Sequence, residues 1–409
     1  MDFMLYGTPS LEAVDEAVLG EIEEMRRDLK YRLAESHRWD GQLRRQLQAR
    51  AIQGSNSIEG YRASVEDIES IMAGEEPLET SGAVAREISG YQQALTYIQA
   101  LSRAPVFAFD AGLLHALNFM MIGHHQDKTP GTVRPGDIYV RNSTTGEVVY
   151  EGPDAERVPE LMAELVAWLN EGDLKAPSYV RAAMAHFNLV SIHPWRDGNG
   201  RMSRALQTLV LGRDRITTPE FSSIEEWLGQ ARNTYDYYDG LAAIQDGRWN
   251  PHEDTLHWVR FCLRAHHLQA QQVRRRLAEA GEVWMLLEEQ VDADGLNTRV
   301  VSALYEVFVN RRLRRSRYQS DESLSQGQAV RDLRDLAAKG WLAPYGETKG
   351  RFYAPGERMR AIREDFARRI VPLRDPYRHD GSRAERRRSI PACERGGSGP
   401  LEDSGHGCS

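Results

Sequence analysis

Cysteine is scarce in this chain of 409 residues: Cys262, Cys393 and Cys408 are the only three, and they lie far apart. That excludes a disulfide framework and any closely spaced cysteine metal site, and it makes a reducing cytoplasm the expected setting. Long apolar runs are also lacking. None approaches the roughly 20 residues that span a bilayer, so no membrane segment is expected. The N-terminus, from Met1 to Gly7, has no basic stretch followed by an apolar one, and no secretion signal is expected. No internal repeat recurs at a fixed period.

What is present is ordinary for a globular protein, with 41% hydrophobic and 27% charged residues. The length predicts two or three domains. Charge is unevenly spread. The overall net of −8 divides into −16 over residues 1–295, +7 over 296–370 and +1 over 371–409. An acidic body followed by a basic module implies two different jobs, and only the basic module has the sign for nucleic acid.

The pattern is mainly α. Leu11, Val14, Val18, Ile22 and Met25 recur at helical spacing, and Leu29, Leu33 and Leu43 extend the series, so residues 11–50 read as helix until Gly54 interrupts. Further helices are predicted over Ser64–Met72, Ala83–Leu101, Asp110–Met121, Pro159–Asn170, Pro177–Ser191, Met202–Leu211, 222–231 and 255–280. Residues 137–141 and 147–150 are short strand candidates around a loop at 142–146. Beyond about Asp375 the chain is rich in Arg, Gly, Ser and Pro, a composition that predicts a disordered tail.

Residues 193–204 read His-Pro-Trp-Arg-Asp-Gly-Asn-Gly-Arg-Met-Ser-Arg. Gly198 and Gly200 flank Asn199, which permits positive φ and close backbone approach. The helix that follows points its free N–H groups into the loop, an anion site. Arg201 and Arg204 share one face of its first turn and suit the phosphates of a nucleotide. Asp197 can hold Mg²⁺, which bridges carboxylate and phosphate oxygens. His193 can be neutral at pH 7, as a general base must be. Each feature alone is commonplace; together they spell phosphoryl or nucleotidyl transfer.

This segment resembles the signature of the Fic family, His-Pro-Phe-x-Asp/Glu-Gly-Asn-Gly-Arg-x-x-Arg, and departs from it only at Trp195. The likeness spans residues 85–275. It implies a Fic-type helical core with a small β-hairpin flap, transferring AMP from ATP to a Ser, Thr or Tyr hydroxyl of a target protein or of itself. By the resemblance His193 is the base, Asp197 holds Mg²⁺, Gly198, Asn199 and Gly200 form the nest, and Arg201 and Arg204 hold the β- and γ-phosphates. Gly131-Thr132-Val133-Arg134 is similar to the lead-in of the family's flap, whose segment here, Ile138, Tyr139, Val140 and Arg141, would dock the target by strand pairing. Tyr237 and Tyr238 are similar to a tyrosine pair near the adenine pocket. Such proteins often dimerise, which admits a homodimer.

Ser55-Asn56-Ser57-Ile58-Glu59-Gly60 resembles the family's inhibitory motif, Ser/Thr-x-x-x-Glu-Gly/Asn. A Glu59 carboxylate on Arg204 would occupy the fork meant for the γ-phosphate, so autoinhibition is implied. Residues 296–355 resemble bacterial winged helix-turn-helix modules, with helices over Val300–Asn310 and Ser325–Lys339 and a hairpin whose wing is residues 346–350. Such a module contacts DNA through its second helix and wing. The resulting plan is an N-terminal region at 1–84, a catalytic core at 85–280, a winged-helix domain at 285–370 and a tail at 371–409. Two other functions fit the same residues. One is a DNA-binding regulator whose core senses nucleotide. The other is removal of AMP, with Glu59 positioning a water. Intact Gly198 and Gly200 argue against transfer of phosphate alone.

Overall fold

Apolar residues at three- and four-residue spacing make this chain helical, and the computed structural model describes residues 4–141, 145–214, 218–347 and 351–378. The apolar series over 11–50 predicts one helix, but two form: α1 (Ala13–Arg32) and α2 (Asp40–Ile58). No apolar residue at helical spacing bridges Leu33 and Leu43 except Trp39, and the Asp40 carboxylate accepts the His37 N–H at 2.8 Å to turn the chain. At its other end α2 passes through Gly54, where a break is predicted. A Cβ there would sit 2.0 Å from the Glu225 carbonyl oxygen, so glycine serves the close crossing of two helices and does not end one.

The helices α3 (Val65–Met72), α4 (Gly82–Arg103), α5 (Ala111–Ile122), α6 (Val158–Glu171), α7 (Ser178–Ile192) and α8 (Asn199–Arg213) follow. Each of α3, α4 and α5 starts on a side-chain cap, from Ser64, Ser81 and Asp110. Every residue of α7 from Ala182 to Ile192 is buried, so it is the central post of the fold. Its principal neighbour is α8, which also packs on α4. The short helices α9 (Pro219–Ser222) and α10 (Glu225–Leu228) then lead to α11 (Ala231–Gln245). The sequence pattern predicts helix at 222–231 and stops short of α11. That segment is rich in Asn, Thr, Tyr and Asp, which are weak helix formers, and burial of Tyr237, Leu241 and Ile244 overrides propensity.

A single helix, α12 (Leu256–Ala293), runs unbroken for 38 residues, about 57 Å, past the stop predicted at 280. Its first half packs on α7 and its second on α13 (Val300–Asn310). The C-terminal elements are α14 (Arg315–Asp321), α15 (Gln326–Ala338) and α16 (Glu357–Arg368), with one hairpin between α15 and α16. Their core includes Leu29, Leu43 and Leu47 from α1 and α2, together with Val283, Leu287, Leu304, Leu333 and Trp341. The Gln42 amide on α2 donates to Ser302 O at 3.0 Å and Glu306 Oε2 at 3.1 Å, and Arg45 pairs with Asp321 at 2.8 Å.

Both hairpins are antiparallel. The first pairs β1 (Tyr139–Arg141) with β2 (Val148–Glu151), with a bulge between Val140 and Arg141. The second pairs β3 (Leu342–Tyr345) with β4 (Phe352–Pro355). Residues 142–144 of the first expected loop and 348–350 of the expected wing lie outside the described residues, as do 379–409 of the expected tail. Residues 371–375, assigned to that tail, instead run along α12: Gln271 bonds both the N–H and the carbonyl of Arg374, and Asp375 pairs with Arg264 at 2.8 Å. Among the described residues no helix is long and apolar enough to cross a membrane.

Candidate functional site

The loop 193–198 joins the two most deeply packed helices, and its shape follows from its residues. His193 ends α7 in the left-handed region at φ 51°, and Pro194 prevents the helix from resuming. Gly198 starts α8 at φ +79°, a conformation side chains resist. Asn199 closes the loop on itself. Its side chain accepts the Trp195 N–H at 3.1 Å and donates to the Trp195 carbonyl at 2.8 Å. The Asp197 carboxylate accepts the Gly198 N–H at 2.6 Å through Oδ1. From α5, Asn118 donates to the Asp197 carbonyl at 3.0 Å and accepts the Gly131 N–H at 2.8 Å, so one buried amide ties this loop to the flap lead-in.

The His193 Nδ1 lies 3.1 Å from the Val190 carbonyl, which fixes that nitrogen as the donor and leaves the Nε2 lone pair free. Burial pushes the imidazole down to about 4, so it is neutral at pH 7. Trp195 is fully buried, and its indole N–H reaches His115 Nδ1 at 3.0 Å. The larger aromatic therefore has a hydrogen-bond partner that a phenylalanine could not use.

The two arginines of α8 diverge. Arg204 is 2% exposed; its Nε donates to Ser55 Oγ at 2.8 Å, and its Nη2 donates to Ser55 O at 3.1 Å and Glu59 Oε1 at 2.7 Å. Its Nη1 is buried with no partner among the described residues. Burial works to raise the Glu59 carboxyl, but Arg204 and then Arg201 outweigh it and hold Glu59 below the usual carboxylate range. Arg201 turns instead to Glu87 on α4 at 2.7 Å and lies over the Tyr61 ring. Both guanidinium groups are thus held by carboxylates in this state. Ser55 and Glu59 lie on the last turn of α2 and at its C-cap, so this contact is presented by a helix end and not by a loop.

The tyrosines differ from each other. Tyr237 faces inward, 1% exposed, with its hydroxyl 3.0 Å from His186 Nε2 and its ring under Arg204. It packs against Trp258 on the inward face of α11. Tyr238, 46% exposed, bonds the Ile58 carbonyl at 3.4 Å and flanks the end of α2.

The flap stands beside His193. Tyr139, Arg141, Val148 and Val149 are exposed on it, and Ile138 precedes β1, its carbonyl accepting the Gly152 N–H at 3.1 Å. Tyr150 anchors the hairpin to α7 through the Ser191 carbonyl at 2.6 Å. Arg134 fastens the whole. Its backbone N–H donates to Pro194 O at 2.9 Å, its Nε to His193 O at 2.9 Å, its Nη1 to Gly136 O at 2.7 Å and its Nη2 to Pro153 O. It is 3% exposed and forms no ion pair among the described residues.

Sequence reading missed Glu87, Asn118, His115, Tyr91 and Glu225. Tyr91 and Glu225 share a short hydrogen bond beside Ser55, and burial pushes the Glu225 carboxyl up to about 7. A lone asparagine in the apolar run of α5 was a usable signal for Asn118. The others carry no local mark, since their partners lie far away in sequence.

Residues 108–211 match the family model described as the Fic/DOC family. The chain is 32% identical over 231 residues to "Protein adenylyltransferase Fic" of Culex quinquefasciatus, covering 54% of this chain and 42% of that protein. It is 36% identical over 94 residues to "Protein adenylyltransferase fic-1" of Caenorhabditis briggsae, covering 23% of this chain and 17% of that one. The chain thus spans less than half the length of these curated relatives. A Fic family protein from Desulfovibrio desulfuricans G20 superposes with a TM-score of 0.52 at 22% identity, over 86% of this chain and 99% of that one. A fragment of Fic-1 from C. elegans gives 0.53 at 22% identity, over 66% and 74%. These solved structures share the mainly helical fold.

Proposed function

We propose that this chain, whose residues 108–211 carry a Fic/DOC domain, is a protein adenylyltransferase held in check by its own second helix. The observation that carries the reading is a neutral His193 with Nε2 free, next to the α8 N-terminus and two arginines. His193 Nε2 takes the proton of a target hydroxyl as that oxygen attacks the α-phosphorus of ATP. The bond from the α-phosphorus to the bridging oxygen breaks, and pyrophosphate leaves. The amides of Gly198, Asn199 and Gly200 receive phosphate oxygens, since backbone N–H groups at a helix start suit anions. Asp197, whose Oδ1 accepts the Gly198 N–H and whose Oδ2 has no hydrogen-bond partner among the described residues, is a hard donor at the edge of that nest and fits Mg²⁺, which would neutralise phosphate charge there. The exposed edge of β1 suits an extended target segment.

Glu59 and a γ-phosphate would compete for Arg204, and the 2.7 Å pair supports the carboxylate as occupant when ATP is absent or bound unproductively. The test is incubation of the full chain with radiolabelled ATP and lysate. Glu59→Gly labels protein faster than wild type, and His193→Ala labels at least about 100-fold more slowly than its parent. An undiminished rate of labelling with His193→Ala overturns the mechanism.

For residues 296–355 we propose a winged-helix module that binds DNA through α15. Arg331, Arg334 and Lys339 are exposed along or just beyond that helix, while Ala329, Leu333 and Leu336 face the core, which supports the reading. A gel shift on the DNA upstream of its own reading frame tests it. Retardation lost in Arg331→Ala/Arg334→Ala is the expected result, and no retardation at low salt refutes it.

A further inference from the structure

We infer that Glu87, His124 and His125 form a binding site for one divalent cation of the zinc class, between α4 and the turn that follows α5. Glu87 projects from α4 with its side chain 3% exposed. The two histidines occupy the turn after α5 ends. Their ligand atoms converge: His124 Nε2 lies 2.9 Å from Glu87 Oε1, and His125 Nε2 contacts that same oxygen. All three ligand atoms lie within 4.8 Å of one another. Zinc binds imidazole nitrogen and carboxylate oxygen at roughly 2.0–2.2 Å, so ligand atoms on a tetrahedral ion stand roughly 3.4 Å apart. Small side-chain rotations bring this trio to that spacing.

A second observation separates a ligand set from an ordinary hydrogen-bonded cluster. His124 Nε2 is buried and has no hydrogen-bond partner that satisfies it among the described residues, although Glu87 Oε1 lies 2.9 Å away. An unpaired buried nitrogen is costly unless something fills its lone-pair direction. The remaining geometry suits a cation too. Arg201 holds the other oxygen, Oε2, at 2.7 Å, so the guanidinium and the imidazoles sit on opposite sides of the carboxylate and Arg201 orients the ligand. His124 and His125 keep 19% and 34% of their side chains exposed, which leaves a solvent path and room for a water as fourth ligand. Two nitrogens and one oxygen select zinc, cobalt or nickel over Mg²⁺ and Ca²⁺, which prefer all-oxygen sets. This site is separate from Asp197, yet it meets the nucleotide pocket, because Glu87 serves both the cation and Arg201.

The test is a Co²⁺ titration of the full chain after chelator treatment, followed by its visible absorption band, with Zn²⁺ and Mg²⁺ as competitors. Wild type takes up an equivalent that Zn²⁺ displaces and Mg²⁺ does not. His124→Gln/His125→Gln binds one equivalent fewer, with its circular dichroism spectrum unchanged. His125→Gln, the more exposed position, weakens binding at least about tenfold, since loss of even an outer partner costs that much. Equal stoichiometry in wild type and the double variant, or no Co²⁺ band in wild type, overturns the inference.

Discussion

Replacing Glu59 by glycine tests the proposed brake, because it removes the carboxylate that pairs with Arg204. In the ground state Arg204 is held by Ser55 Oγ, Ser55 O and Glu59 Oε1, the last at 2.7 Å, while the Glu59 side chain keeps 30% of its surface exposed. A charged hydrogen bond of this kind is worth about 1.5–3 kcal/mol net. A phosphate that is to occupy Arg204 must first give up that amount. With 1.4 kcal/mol per factor of ten, Glu59→Gly raises the initial rate of AMP transfer by about 10- to 150-fold. Glu59→Gln keeps an acceptor without the charge and falls between. Acidification to pH 5 is a poor substitute for the mutation, because Arg204 and Arg201 hold the Glu59 carboxyl below its usual range. The assay is incorporation of label from ATP by the full chain, with Tm measured in parallel. Without ATP the glycine variant melts lower than wild type, since Arg204 loses its carboxylate, and saturating ATP restores more of its Tm than it adds to wild type. Equal initial rates in wild type and Glu59→Gly refute the reasoning.

His193→Ala in the Glu59→Gly background lowers the transfer rate by about 10²- to 10⁴-fold while nucleotide binding persists, read by labelling and calorimetry side by side. Burial disfavours the imidazolium, so the folded value of about 4 lies below the free value of 6.5, and His193 stays neutral as pH falls through 6.5. The transfer rate of Glu59→Gly therefore shows no acid limb centred near 6.5. The same shift makes this group's contribution to stability full above pH 6.5 and lost as pH falls towards 4, because only the unfolded chain takes up the proton in that window. Trp195→Phe destabilises by about 1–3 kcal/mol in urea melts, from a lost hydrogen bond to His115 and a small void, and pairing it with His115→Leu recovers part of the loss. Arg134→Ala strips three carbonyls of their donor, costs at least about 3 kcal/mol, and speeds protease cleavage within residues 137–151.

The turn between α7 and α8 could be read because it is local. All of His193 to Arg204 lies within one turn and one helix start, and residue type at each position has a short-range reason. The contact between Ser55, Glu59 and Arg204 spans nearly 150 residues, and only a motif likeness pointed to it. Glu87 and Asn118 had no such pointer. Each is a single polar residue on a helix whose partner is brought in by packing, and nothing within ten residues of Glu87 foretells Arg201. Helix ends misled where burial outweighs propensity, as at α11, and where a glycine serves a crossing, as at Gly54. The long α12 was underestimated for a related reason: its second half faces the C-terminal elements, and its apolar series continues without a change of period.

Helix α2 has one end in each half of the molecule, and that makes it a lever. Gln42 and Arg45 are gripped by Ser302, Glu306 and Asp321, while Glu59 rests on Arg204. Seventeen residues of helix separate Gln42 from Glu59, about 25 Å, so a tilt of about 5° at the first end sweeps the second through about 2 Å. That stroke is large against a 2.7 Å contact. On the proposed function, a ligand that seats itself on the C-terminal elements with a preference for one angle of α2 would set how hard Glu59 is pressed on Arg204. By reciprocity, ATP displacing Glu59 would then change the affinity of that ligand by the same factor.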